Sequence, residues 1–490
     1  IKYIEDGNFE LLGGPIGTSE YCNQHTQNRV EKASELLSAL GELHDPQVAL
    51  ILLRHCASFG KLVYSLRVVP HHKHTIALKN FDNAVRDCVE SFLSCSTTDT
   101  EWSLANLSTK MGGLGLRSVE NHSSAAFLSS RIACRELCSR LDPKYVWDIT
   151  MPTSDSHKAL TDYNNRVDPS SKIQTTSEPI PRQQTLSQAI DSQVLATLKE
   201  DFRQNTYFLA HLNLTTASGA GSWLHTIPSR ALGTHVDPAL YKTMIQRWLR
   251  IPVFQSEHHC PFCDEVVGRF GDHCLTCSVG GDRTKRHNLI RNKVYHFSQS
   301  AGLNPELERT GLLQPRPILG SVQESGAERD NNAERRPADV YIPRWRRGTP
   351  AAFDLAVTSG LRRGMVKESA KDGTLAVKSY ETKKRTYLDT ETLCQDEGIQ
   401  FIPLICEANG GGWGPAAQVV WRELAKYKSS MTGESHSITA THLLQSLSLI
   451  LHKENARAIL RRSPHNNFYT SDVDTGILAA SAACGSIQDL

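Results

Sequence analysis

The sequence predicts a layered α/β domain in its C-terminal half, behind a compact cysteine–histidine knot and a mainly α-helical N-terminal region. Three observations carry this expectation. Short apolar, strand-like runs around Asp339, Asp354 and Phe401 alternate with helix-like stretches between Thr284 and Lys426, the pattern of a sheet flanked by helices. Four metal-ligand residue types, Cys260, Cys263, His273 and Cys277, fall within 18 positions. Upstream, apolar residues recur at helical spacing, broken by glycine and proline turns.

The N-terminal region, 1–145, opens with a possible short strand at Phe9–Leu12 and a turn at Gly13-Gly14-Pro15. A helix follows through Leu36, Leu37 and Leu40. Asp45 is placed to cap a second helix, with Pro46 in its first turn, and the apolar pattern predicts that helix over 47–66. From 146 to 192 the chain turns polar and is expected to be a linker, clearest at Thr175-Thr176-Ser177-Glu178-Pro179-Ile180-Pro181. A helical connector is expected over 193–257.

The knot spans 258–280. Cys260-x2-Cys263 followed by His273-x3-Cys277 offers four soft or borderline ligands, suited to tetrahedral Zn²⁺. With every coordination position filled by protein, the metal would be structural, or would shape a nucleic-acid contact. His258, His259 and Cys274 are spare ligand types beside it. The alternative is a set of reduced thiols in a metal-free loop.

The α/β domain is expected over 281–430. A helix runs over 284–300, a strand over 306–313, and further strands over 338–342 and 351–358. A helix over 366–394, interrupted near Gly373, leads to a buried strand at 398–406 and a closing helix over 415–426. Asp339 and Asp354 on neighbouring strands would bind Mg²⁺, a hard cation that prefers oxygen ligands. Lys383, with Lys384 as its competitor, would position the attacking water. Tyr387, four residues after Lys383, would share its helix face and hold the phosphate or the lysine. Glu407 is a further candidate acid. The tail, 431–490, contains one amphipathic helix over 440–462 and then a polar stretch, 463–474, with partial disorder expected; no function attaches to it.

Composition agrees with an intracellular nucleic-acid enzyme. The 490 residues hold 13 cysteines, odd in number and unevenly spread, which argues against a secreted disulfide framework. No run of 18 apolar residues occurs, so no transmembrane helix is expected. The formal charge is only +2, but Arg344 to Arg385 holds 11 Lys/Arg against 4 Asp/Glu, a surface suited to tracking phosphates.

The ordered set Cys260, Cys263, His273, Cys277, then Arg286-His287, then Asp339, Asp354, Lys383 and Tyr387 resembles the zinc knuckle and restriction-endonuclease-like domain of site-specific non-LTR retrotransposons. Ala338 separates Pro337 from Asp339, where the family pattern has Pro-Asp. Leu11-Leu12-Gly13-Gly14-Pro15-Ile16-Gly17 and Gly112-Gly113-Leu114-Gly115-Leu116-Arg117-Ser118 resemble the thumb region that follows a reverse-transcriptase palm. No Asp-Asp pair occurs in the sequence, so the palm's metal centre, and with it reverse transcription, is not expected. The chain begins at Ile1, which reads as a piece of a longer protein.

The resemblance implies an α/β restriction-endonuclease-like core, Zn and Mg as cofactors, and a nuclear location. It implies nicking of a DNA target to prime reverse transcription, with element RNA as a second partner. Arg286 and His287 would contact the DNA backbone, unless the histidine only caps or packs. The competing readings are a non-catalytic, zinc-containing nucleic-acid-binding remnant and a purely structural helical protein. Membrane association is not expected, and the oligomeric state stays open.

Overall fold

The computed structural model describes residues 6–174, 181–314 and 336–464. Most of the expected linker motif 175–181, the polar loop 315–335 and the tail beyond Pro464 lie outside them. Among the described residues the molecule is mainly helical, with three small sheets and the cysteine–histidine knot.

The first region starts with an antiparallel hairpin, β1 (Phe9–Leu11) and β2 (Gly14–Ile16). Thr18 caps α1 (Ser19–Gly41), whose Val30, Ala33, Leu37 and Leu40 recur at helical spacing and are buried. Asp45 caps α2 (Pro46–Leu52) as its sequence position predicts, through the Gln47 and Val48 amides. The expected long helix then breaks. A π-helical turn (Leu53–Ala57) and a 3-10 turn (Phe59–Lys61) separate α2 from α3 (Val63–Val68). Within the π-helical turn Arg54 donates to the Leu114 and Leu224 carbonyls, 2.8 Å each. The stretch Pro46–Val68 reaches the length and mean hydropathy (1.2) of a membrane span. Yet Leu50, Leu53, Leu62 and Leu66 are fully buried in the helical core, as in a core helix.

α4 (Thr75–Leu93) packs along α1, and α5 (Asp99–Asn106) is closed by a Thr98–Glu101 capping box. α6 (Val119–Leu141) leads into the polar segment. That segment differs from the linker expected there. α7 (Asp155–Asn165) and α8 (Gln183–Asp201) fold against α6 around Phe127, Leu128, Tyr163, Leu186 and Ile190. A few well-placed apolar residues suffice for this core, although the average composition is polar. α9 (Thr206–Thr215) and α10 (Pro238–Trp248) form the connector.

The knot consists of β3 (His258–His259), β4 (Val266–Val267) and α11 (Asp272–Thr276). Beyond it, α12 (Asp282–Ser300) precedes a four-stranded sheet in the order β5 (Glu306–Leu307), β6 (Val340–Ile342), β7 (Ala351–Thr358), β8 (Gln400–Glu407). The first three strands are antiparallel neighbours, and β8 runs parallel to β7. The strand expected over 306–313 stops at Leu307 because Glu308 turns into the left-handed region at φ 47°. α13 (Val366–Ser369), α14 (Leu375–Thr386) and α15 (Thr390–Asp396) make the crossover from β7 to β8.

The interruption expected at Gly373 is present, and it has a packing cause. A Cβ there would lie 2.3 Å from the Asn213 carbonyl, and one on Gly410 2.1 Å from that of Leu214. Both glycines let the end of α9 press directly on the α/β domain.

α16 (Pro415–Thr432) closes that domain, and α17 (His436–Leu460) crosses it. The tail helix is no appendage: it packs on α10, α11, α12 and α16. Its end is tied down by Asp282 in the first turn of α12, which receives Arg457 (2.9 Å), Arg461 (2.7 Å) and Arg462 (2.7 Å). Arg462 is fully buried, so removing the carboxylate strands a charge in the interior. Asp282→Asn is expected to cost about 3 kcal/mol or more, measured as a lower denaturation midpoint without loss of helix content.

Candidate metal centres

The first centre is the knot. The β3–β4 hairpin presents Cys260 and Cys263, α11 presents His273, and Cys277 sits just past its last residue. Their ligand atoms all lie within 4.8 Å of one another. Cys263 Sγ is 3.2 Å from His273 Nε2 and 3.5 Å from Cys277 Sγ. This Cys3His group can hold a metal such as zinc, with a donor set that matches structural sites.

The spare ligand types are occupied elsewhere. His258 Nε2 meets the Arg462 carbonyl at 2.8 Å and His259 Nδ1 meets that of Asp264 at 3.1 Å. Cys274 points into the knot's apolar core, where burial pushes its thiol up to about 12. Burial is the largest influence on Cys277 and opposes its ionisation, but the hydrogen bonds with Arg462, Val279 and Cys263 and the Arg462 charge together outweigh it and hold this thiol below its ordinary value.

A cluster of charged side chains lies on the sheet. β6 and β7 pair Val340 with Phe353, so the next step of the antiparallel ladder falls on Asp339 and Asp354. Asp339 Oδ2 accepts from the Leu355 amide at 2.6 Å and from His287 Nε2 at 3.2 Å. The same nitrogen faces the Leu355 carbonyl at 3.1 Å. Both neighbours are acceptors, so the ring carries its proton on Nε2, and the hydrogen bond with Asp339 raises the His287 pKa despite burial.

Lys384 Nζ sits 2.8 Å from Asp354 Oδ2 and 3.1 Å from Oδ1. Burial pushes the Asp354 carboxyl up to about 6; the lysine opposes this and the facing Asp339 reinforces it. Two carboxylates across one strand pair repel unless a cation lies between or beside them. Here Lys384 supplies one positive charge.

Several sequence-derived positions differ. Lys384, not Lys383, reaches Asp354. The inward face of α14 carries Ala376, Val377 and Tyr380, and Lys384 continues that phase while Lys383 is one step around the helix. Lys383 is exposed, its Nζ 6.0 Å from the Tyr380 ring centre. Nor do Lys383 and Tyr387 share a helix face. α14 ends at Thr386, and Leu388 and Asp389 take φ of 52° and 53°. Tyr387 is 58% exposed, yet it lines a cleft together with Asp354 and Lys384.

Arg286 is also corrected. It is buried, bonded to Asn455 Oδ1 at 2.6 Å and the Leu275 carbonyl at 3.1 Å, and so bolts α12 to α17 and the knot instead of facing solvent. Arg286→Ala should lower stability by about 2 kcal/mol or more, with DNA affinity per folded molecule unchanged. Denaturation and binding measured on the same preparation separate the two effects.

Glu407 is likewise structural. Its carboxylate accepts from the amides of Gly360 (2.9 Å), Asn409 (2.8 Å) and Gly410 (2.6 Å), fixing the loops after β7 and β8.

Comparison of the sequence with protein-family models and with curated proteins finds no match to either. The fold and the first centre therefore define a class by their own features: a mainly helical protein with small sheets and a Cys3His group able to bind a metal such as zinc.

Proposed function

We propose that the chain is the DNA-nicking portion of a retrotransposon protein, a metal-dependent endonuclease whose cut exposes a 3′-hydroxyl for priming. The observation that carries this reading is the meeting of Asp339, Asp354, Lys384 and His287 over the two central strands of the sheet. The order of elements supports it. A helix, three antiparallel strands, a helical crossover and a parallel fourth strand is the arrangement expected of a restriction-endonuclease-like core, with both carboxylates on its second and third strands.

In this reading Asp339 and Asp354 would hold Mg²⁺, which would supply polarisation of the phosphoryl group and activation of water. Asp339 is kept in place by His287 and the Leu355 amide. Lys384 orients the nucleophile or stabilises charge on the phosphate. Tyr387, open to solvent at the mouth of the cleft, is within the same recess to meet the substrate. The Cys3His group would be structural, holding α11 and the start of α12 in register with the carboxylates. Its place along the chain fits the retrotransposon reading, as does a DNA target in the nucleus.

The test is conversion of supercoiled plasmid to open circles by zinc-loaded protein. Relaxation with Mg²⁺ and none without it supports the reading. Intact plasmid under both conditions, from folded protein, rejects it in favour of a nucleic-acid-binding remnant.

A further inference from the structure

We infer that a groove leading away from the carboxylates, along the knot, holds an unpaired nucleic-acid strand. This deepens the proposed nuclease reading and rests on it for the strand's destination, but the groove's own chemistry stands on separate residues.

Two recesses open beside the C-terminal end of β7, one lined by Val357 and the other by Ser359. The first, about 470 Å³, contains Asp354, Lys384, Arg283 and Tyr380, with Val357 in its wall. The second, about 790 Å³, contains Arg362, Arg363 and Tyr207, with Ser359 in its wall. Both volumes lie in the range of ligand-binding clefts. The knot forms a shared side, contributing Ser278 to the first and Thr276 to the second. Arg362 joins them, its guanidinium carbon 5.9 Å from the Tyr380 ring centre.

The lining combines cations with aromatic rings. Arg362 and Arg363 are exposed on the loop after β7. The Tyr380 ring has both Arg362 and Lys383 near it, with ring-centre distances of 5.9 and 6.0 Å. Tyr207 is 40% exposed at the far end. Basic groups that follow a backbone, with rings on which bases stack, are the recognition chemistry of single strands. A duplex hides the faces of its bases inside its own stack, so it cannot use Tyr380 or Tyr207 in this way. Glu257 and Glu265 line the second recess too; they lie on the knot's side and would repel phosphates, which directs the backbone to the Arg362–Arg363 wall.

The function that follows is a strand-holding one. The groove would take the segment beside the nick once it is unpaired and keep it from re-annealing.

The experiment is fluorescence anisotropy of labelled oligodeoxythymidylate, its RNA counterpart and a DNA duplex of equal length. Zinc-loaded protein is used, with Ca²⁺ in place of Mg²⁺. Wild type should favour the single strands. Arg362→Ala/Arg363→Ala should weaken single-strand binding about tenfold or more and Tyr380→Ala about tenfold, with duplex binding little changed. The slope of log K against log salt should shrink by about 1.4 in the double variant, as two lost phosphate contacts require. The DNA and RNA arms tell which strand is preferred. Unchanged single-strand affinity in both variants, with zinc retained, overturns the groove. Plasmid nicking on the same preparations keeps the two ideas apart. Nicking without variant-sensitive strand binding leaves the nuclease and removes the groove; the reverse leaves the groove and removes the nuclease.

Discussion

Lys384→Ala is expected to lower the rate of plasmid nicking by about 10²–10⁴-fold, while Lys383→Ala keeps kcat and raises only KM. The contrast follows from one residue's step around the helix. Lys384 lies against both oxygens of Asp354, so its loss removes the lysine charge that Asp354 faces. Lys383 is exposed beside Tyr380 and can touch only substrate. Single-turnover rates on the two variants measure the effect on chemistry directly. Equal losses, or a larger loss from Lys383→Ala, would show that the catalytic lysine is the one preferred on spacing alone.

Loss of zinc should have the larger effect on folding. Cys277→Ser is expected to take the protein from about one zinc per chain to none, and to free the knot from α10 and α17. The knot has few apolar residues of its own, chiefly Phe254, Val267, Cys274 and Leu275, with Ile459 from α17. So small a core cannot hold a loop of this length without a staple, whereas a bound structural zinc contributes roughly 10 kcal/mol or more. The damage should spread, because Asp272 in α11 binds Arg250 (2.7 Å) and Arg247 (3.0 Å). Metal analysis and protease sensitivity of the variant measure both effects; full zinc occupancy in Cys277→Ser would exclude the assigned ligand set.

Much of the α/β domain could be read from sequence because its signals are local. Ala351–Thr358 is a short apolar run between turns, and Gly373 marks a break that backbone packing demands. The four ligands of the knot are close in sequence, so spacing alone groups them. What escaped depends on partners remote in the chain. The helix expected over 47–66 is interrupted where Arg54 binds the carbonyls of Leu114 and Leu224. Arg286 looks like a surface cation until Asn455, 169 residues later, is seen to bind it. The tail helix appeared idle because its anchor, Asp282, lies far upstream. Lys384 is a different case: the sequence offered it as the competitor of Lys383, and the burial of Ala376 and Val377 on the same helix decides between them.

The most direct measurement is nicking of supercoiled plasmid in Mg²⁺ by the zinc-loaded protein and its Asp354→Ala variant, side by side. Asp354 faces Asp339 across the strand pair and meets Lys384, so the wild type should produce open circles and the folded variant none. Equal nicking by both, or nicking that persists in the wild type after Mg²⁺ is withdrawn, would contradict a carboxylate-bound metal at this site.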